Sequence, residues 1–453
     1  MKTLMFFFVA LFVPIPGAYA VALLPILYLY QRTFLDPGTA LFTAGPMDVT
    51  AVDLALLILL GKFLFEIACK RDVVADGRLY AALAIFLGVN FLATLAAGVK
   101  FGESHLLGCA TSWARLVTDM MLLPIAAQAM KTVPQARRCL WILLGTLGAL
   151  AAIQFINFFG ASHGLVIGEV QGMERGEVRY FGPVGDAVGF ILLLGYLIAL
   201  CFGRLAWAGV FLGAILLTAG LGAIFATAVG SGFFLLLARR APAFGLAVRR
   251  CAWSLPIFCV VGIVAGVIFA RPVLGPLLDR VGSGGYASSG SQRLDSARAA
   301  GSMILDNPLL GVGYMGYRRS LERYGGEKLF DLSKHDGATA NANNQVLQTL
   351  TDSGLPGLVA FAGLMFFAGR SFLRIAARQD EPFFSAFYLA AFIWLLALVF
   401  GNLAAVWLLP SFGALVLWIL LGVSVALPRL LAERSQEDAR ESSEPAETEL
   451  AVA

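Results

Sequence analysis

Charge is scarce in this chain of 453 residues: 14% of positions are Asp, Glu, Lys or Arg, against about 25% in an ordinary soluble domain. That scarcity excludes a water-soluble globule. Histidine is scarcer, with only His105, His163 and His335. No D-x-D or H-E-x-x-H spacing occurs, and Asp331 and Asp336 stand alone, so no metal signature is present. The six cysteines, Cys69, Cys109, Cys139, Cys201, Cys251 and Cys259, never fall at C-x-x-C spacing. This argues against a disulfide framework or a structural zinc, and they read as small buried apolar residues.

What is abundant is hydrocarbon. Hydrophobic residues make up 59% of the chain and the mean hydropathy is +0.81. A span needs about 20 apolar residues. Candidates run near 4–30, 52–68, 79–99, 106–130, 140–159, 181–202, 205–219, 221–237, 253–270, 346–368, 383–402 and 404–427. The expected fold is therefore an all-α polytopic membrane protein with about 12 transmembrane helices. The first 20 residues resemble a cleavable signal ending Ala18-Tyr19-Ala20. Cleavage would strand the apolar VALLPILYLY that follows, so an uncleaved first span kinked at Pro14 and Pro16 is expected.

Basic residues orient the spans, because Lys and Arg collect in short cytoplasmic loops. Lys70/Arg71/Arg78, Lys131/Arg137/Arg138, Arg204, Arg239/Arg240/Arg249/Arg250, Arg370/Arg374/Arg378 and Arg429/Arg434 all fall on one side when the spans are counted. Both termini are then cytoplasmic. The segments 160–180 and 271–345 lie outside, which is the periplasm if the cell is a Gram-negative bacterium. The expected organisation is nine spans over 1–270, an extracytoplasmic segment over 271–345 carrying the active site, three spans over 346–430, and an acidic, disordered cytoplasmic tail over 431–453.

The 271–345 segment holds nine Lys and Arg residues and most of the Gly/Ser/Asn-rich turns. A helix capped by Ser291 is expected to run to Ile304, ended by Asn307-Pro308. A second short helix is expected over Met315–Arg323. Arg175 and Arg179, then Arg293 and Arg298, are the outside arginines of interest, since a guanidinium fork matches phosphate oxygens. The plainer reading pairs them with Glu169, Glu174, Glu177 and Asp295. Two charge pairs sit inside apolar runs, Lys62/Glu66 and Arg115/Asp119, each four residues apart. Self-pairing is expected for the first, whereas Arg115 is a candidate to line a cavity. Gly311-Val312-Gly313 follows no strand, so it reads as a sharp turn and not as a nucleotide fingerprint.

The ordered set Arg293-Leu294, Asn307-Pro308-Leu309-Leu310-Gly311-Val312-Gly313-Tyr314, Asn343-Asn344-Gln345 and Gly354-Leu355-Pro356-Gly357 resembles the O-antigen ligase/polymerase superfamily. Arg179-Tyr180-Phe181-Gly182 is similar to that family's earlier arginine site. The resemblance implies a GT-C-like, inverting membrane glycosyltransferase that works on undecaprenyl-diphosphate-linked oligosaccharide among membrane lipids. It implies no cofactor, nucleotide or metal. Other polysaccharide assembly proteins are compatible partners, and nucleic acid is not expected. Arg179 and Arg293, with Arg175 and Arg298, would grip the diphosphate. Asn343 and Asn344 occupy the place of the family's His-Asn pair, with His335 eight residues before Asn343 as the alternative base. Asp186 stands where the family often has Asn, and Asp186 and Tyr314 are further candidates to line a cavity. Loss of the His tilts the expectation toward an exopolysaccharide or O-antigen polymerase. A ligase is the alternative, a transporter or flippase the rival of a different class, and a scaffold subunit of an export machine the plainest reading.

Overall fold

A computed structural model describes residues 2–34, 41–44, 47–69, 76–172, 178–182, 187–218, 221–240, 285–324, 341–378, 381–403, 406 and 412–450. The chain is a helical membrane protein. Its first helices are α1 (Lys2–Ala10), α2 (Gly17–Phe34), α3 (Ala51–Ala68), α4 (Gly77–Phe101), α5 (Glu103–Ala129) and α6 (Val133–Gly160). After them come α7 (Val188–Cys201), α8 (Leu205–Leu217), α9 (Leu221–Arg240), α10 (Gly285–Asp306), α11 (Tyr317–Ser320), α12 (Gln345–Ala376), α13 (Pro382–Gly401) and α14 (Phe412–Leu450). Two short antiparallel hairpins join them. One pairs β1 (Phe42–Ala44) with β2 (Met47–Val49), and the other pairs β3 (Glu169–Gly172) with β4 (Val178–Gly182).

Among the described residues, six helices are long and apolar enough to cross a bilayer: α4, α5, α6, α12, α13 and the first 29 residues of α14. Three shorter apolar helices span 188–201, 205–217 and 222–237. The expected span at 253–270 lies outside the described residues.

The start of the chain is explained by its prolines. Pro16 has no N–H to give the Phe12 carbonyl, the acceptor one turn earlier, so the helix stops between α1 and α2. Lys62 on α3 fills the gap: Nζ donates to the Phe12 carbonyl at 2.6 Å and to the Ile15 carbonyl at 2.6 Å. This corrects the expectation that Lys62 pairs with Glu66. Glu66 instead meets Lys131, beyond the end of α5, at 2.8 Å. An orphaned carbonyl in an apolar setting out-competes a neighbour that has another partner.

α14 is buried on all sides through its first half, with Phe412, Trp418 and Leu420 fully enclosed. Gly422 lets it approach α5 so closely that a Cβ would collide with Ala126, the small-residue packing that membrane helices favour. α14 continues to Leu450. Spaced pairs Arg429–Glu433 at 3.6 Å and Arg434–Asp438 at 3.9 Å fit that helix.

α4 and α12 pack antiparallel. Asp76, capping the start of α4, pairs with Arg374 in the last turn of α12 at 2.8 Å. Further along α4, Asn90 accepts a hydrogen bond from Ser353 at 2.7 Å. α10 lies across α12, and the residues between them build the candidate site.

Candidate active site

Two stretches far apart in sequence interlock because each leaves backbone groups that the other satisfies. α12 breaks at Gly354, whose φ of 66° and ψ of −165° suit glycine almost alone. The break frees the carbonyls of Thr351 and Asp352 and the N–H of Leu355. The turn from Asn307 to Gly316 supplies the partners. Val312 N–H donates to Thr351 at 2.8 Å, Gly313 N–H to Asp352 at 3.0 Å, and Leu355 N–H donates back to Pro308 at 3.0 Å. A Cβ at Gly311 would strike the Thr351 carbonyl, and one at Gly354 the Leu309 carbonyl. Gly311 and Gly313 also sit at φ +61° and +92°, where L side chains are strained. The turn read from the sequence is therefore also a plug that fits the helix break.

A buried carboxylate organises the polar layer beside the plug. Asp352 accepts Gln348 Nε2 at 2.9 Å, and its carboxylate faces the backbone of Met315, Gly316 and Tyr317. Gln348 Oε1 accepts the Ala342 N–H at 2.9 Å. One acid thus couples the 315–317 turn to the segment leading into α12. The sequence reading missed this role. The signal was Gln348 one helical turn before Asp352, and Asp352 two residues before a glycine.

The layer ends on α10. Tyr317 donates its hydroxyl to the Ser296 carbonyl at 3.0 Å, and Asn343 donates its side-chain amide to Ser296 Oγ at 3.4 Å. Asn343 has φ +53°, a left-handed conformation that asparagine tolerates better than most residues. Arg293 is one turn before Ser296 and is exposed. Burial pushes the Tyr317 phenol up to about 12. The Tyr317 phenol stays protonated at neutral pH and acts as a donor, not a base.

α4 and α5 form the wall behind. Thr94 Oγ1 accepts the Tyr314 N–H at 3.4 Å. His105 is buried, tilted on Phe101 at 4.9 Å, and Nε2 donates to the Val312 carbonyl at 2.7 Å. It therefore holds the plug. Arg319, not singled out from sequence, lies so close over Gly108 that a Cβ there would collide with its guanidinium.

The remaining sequence candidates separate. Asn344 caps α12, accepting Val346 and Leu347 N–H at 2.8 and 3.1 Å and donating to the Leu403 carbonyl at 2.8 Å. Its amide is committed to structure. Arg298 meets Asp295 at 3.3 Å in an exposed pair, the partner the plainer reading gave it. Tyr314 is buried in the helix core. Arg115 is exposed on α5 one turn before Asp119. Arg179 is on β4, its backbone opposite Gln171 of β3. Arg175, Asp186 and His335 lie outside the described residues. The expected helix capped by Ser291 starts earlier, at Gly285, and the expected 315–323 helix shortens to α11 and a 3₁₀ turn at Glu322–Tyr324.

The segment containing α10, the plug and the break in α12 matches a known family. Residues 188–362 match the protein-family model of O-antigen ligase. The matched region begins at the start of α7 and ends just beyond the break in α12. It contains Arg293, Asn343 and Asp352 and excludes Arg175, Arg179 and Asp186, which precede it. This supports the resemblance to the O-antigen ligase/polymerase superfamily. No curated protein matches the chain.

Proposed function

We propose that this protein is a polymerase that joins undecaprenyl-diphosphate-linked glycan units at the outer face of a bacterial inner membrane. The observation that carries the reading is the meeting at Ser296, which sets Asn343 of one motif beside the helix bearing Arg293 of the other. In the reaction an acceptor hydroxyl attacks the anomeric carbon of the donor. The bond from that carbon to the diphosphate oxygen breaks with inversion, the diphosphate leaves with its electron pair, and the hydroxyl proton passes to a base. Arg293 and Arg179 hold the departing charge, which fixed cations stabilise most strongly where charge develops. The diphosphate bond supplies the driving force, so the proposed reaction requires neither nucleotide nor metal.

Asn343 cannot take the proton, since an amide is no base at neutral pH. His335 is the proposed base, with Asn343 binding the acceptor. The absence of a histidine at 343 favours polymerisation over transfer to a separate acceptor such as lipid A-core, the ligase reading. The transporter reading loses support from the plug. The carbonyls freed in α12 are taken by Val312 and Gly313, whereas transporters leave such groups to bind ions or substrate.

Purified protein given a defined lipid-diphosphate oligosaccharide tests the assignment. Ladders of repeat units are expected. Transfer to a second lipid without ladders selects the ligase, and neither product overturns both.

A further inference from the structure

The plug belongs to the segment expected outside the membrane, yet it carries the wrong surface for water. Leu305 is 82% exposed and Leu309 68% exposed, on either side of the turn that closes α10. A monomeric surface in water seldom strings bare leucines together in this way.

Two rulers give the depth of this turn. α4 carries exposed Arg78 near one end and exposed Lys100 near the other, a separation of about 33 Å at 1.5 Å per residue. That matches the roughly 30 Å hydrocarbon core, so the two cations mark its boundaries. Lys100 Nζ donates to Asn307 Oδ1 at 2.5 Å and to the Asp306 carbonyl at 3.4 Å. The turn therefore starts at a boundary.

The second ruler is α12. Leu355, Val359 and Phe366 are exposed at 57%, 64% and 64%. They line one stripe of a membrane-crossing helix, on which exposed Arg370, near the helix end, is the cation taken as the near boundary. From Arg370 to Leu355 is about 22 Å, so Leu355 lies about 8 Å inside the far boundary of a ~30 Å core. Leu355 N–H is bonded to the Pro308 carbonyl, which brings Leu309 to the same depth.

We infer that residues 305–310 form a re-entrant turn whose leucines face lipid hydrocarbon. Non-helical backbone survives at that depth only where its polar groups are satisfied within the protein, and the helix break of α12 supplies partners for Val312, Gly313 and Pro308. Lys100 and Arg323, both stacked on Phe101 at 5.6 and 5.1 Å, form a cationic collar where lipid phosphates lie. The occupant of the leucine surface is bilayer lipid, and the inference stands whichever reaction the enzyme performs.

Spin labels at Leu309→Cys and Leu305→Cys test it, in a chain whose six native cysteines are alanine, reconstituted in phosphatidylglycerol/phosphatidylethanolamine vesicles. Oxygen is expected to relax both labels several-fold more than a water-soluble nickel chelate, with the reverse at Arg298→Cys. Leu309→Trp, in the otherwise native chain, reads the same depth without cysteine removal. Lipids brominated on the acyl chain are expected to quench its added fluorescence. Chelate-dominated relaxation at 305 and 309, or an added fluorescence that brominated lipid leaves unchanged, overturns the inference.

Discussion

The N–H of Val312 bonds the carbonyl of Thr351 at 2.8 Å, across a helix break that a single glycine makes possible. The polar layer around Asp352 is built beside that docking. The same contact fixes His105, the Tyr317 hydroxyl and, through Asp352 and Gln348, the approach to Asn343.

Gly354→Ala is the severest small change expected at the site. The added Cβ meets the Leu309 carbonyl and the backbone conformation disfavours any side chain, at about 1–3 kcal/mol before the clash is counted. A large drop in the unfolding midpoint of the detergent-solubilised protein is expected. Gly363→Ala, where a Cβ meets nothing within 4 Å, serves as the control and is expected to be neutral.

Lys62→Met removes the donor shared by the Phe12 and Ile15 carbonyls. A loss of about 1–2 kcal/mol in stability is expected from leaving acceptors unmet. Glu66→Gln, which weakens a part-exposed ion pair with Lys131, is expected to cost less. Equal effects of the two changes would show that Lys62 acts through Glu66 after all.

Arg293→Ala and Arg179→Ala are each expected to cut polymer formation roughly 100-fold or more with normal insertion and expression. His335→Ala is expected to depress the rate far more than Asn343→Ala. Wild-type polymer in either arginine variant counts against the diphosphate assignment. Equal tolerance of the other two removes base catalysis from the account.

Tyr317 gives a pH signature. Its phenol is raised from 10.0 to about 12 by burial, so the folded state binds the proton more tightly than the unfolded one. Its contribution is fully present below pH 10 and is lost as pH rises toward 12. Wild type is expected to lose stability over that range more steeply than Tyr317→Phe, measured by thermal unfolding in detergent. Parallel curves would mean the hydroxyl is not held as described.

The amino-acid sequence by itself determined the membrane-embedded helices, because a long apolar run has few other stable fates in water or lipid. It also marked Arg293, the Asn307–Tyr314 motif and the Asn343–Gly357 stretch as one family pattern. It could not say that the second and third of these lock together, since backbone carbonyls of Thr351 and Asp352 carry no residue-specific signal. Local spacing also misled at Lys62 and Glu66, where four residues on one helix suggested a pair. Tertiary packing decided otherwise, because a carbonyl orphaned by Pro16 needed a donor and α3 brought one within reach.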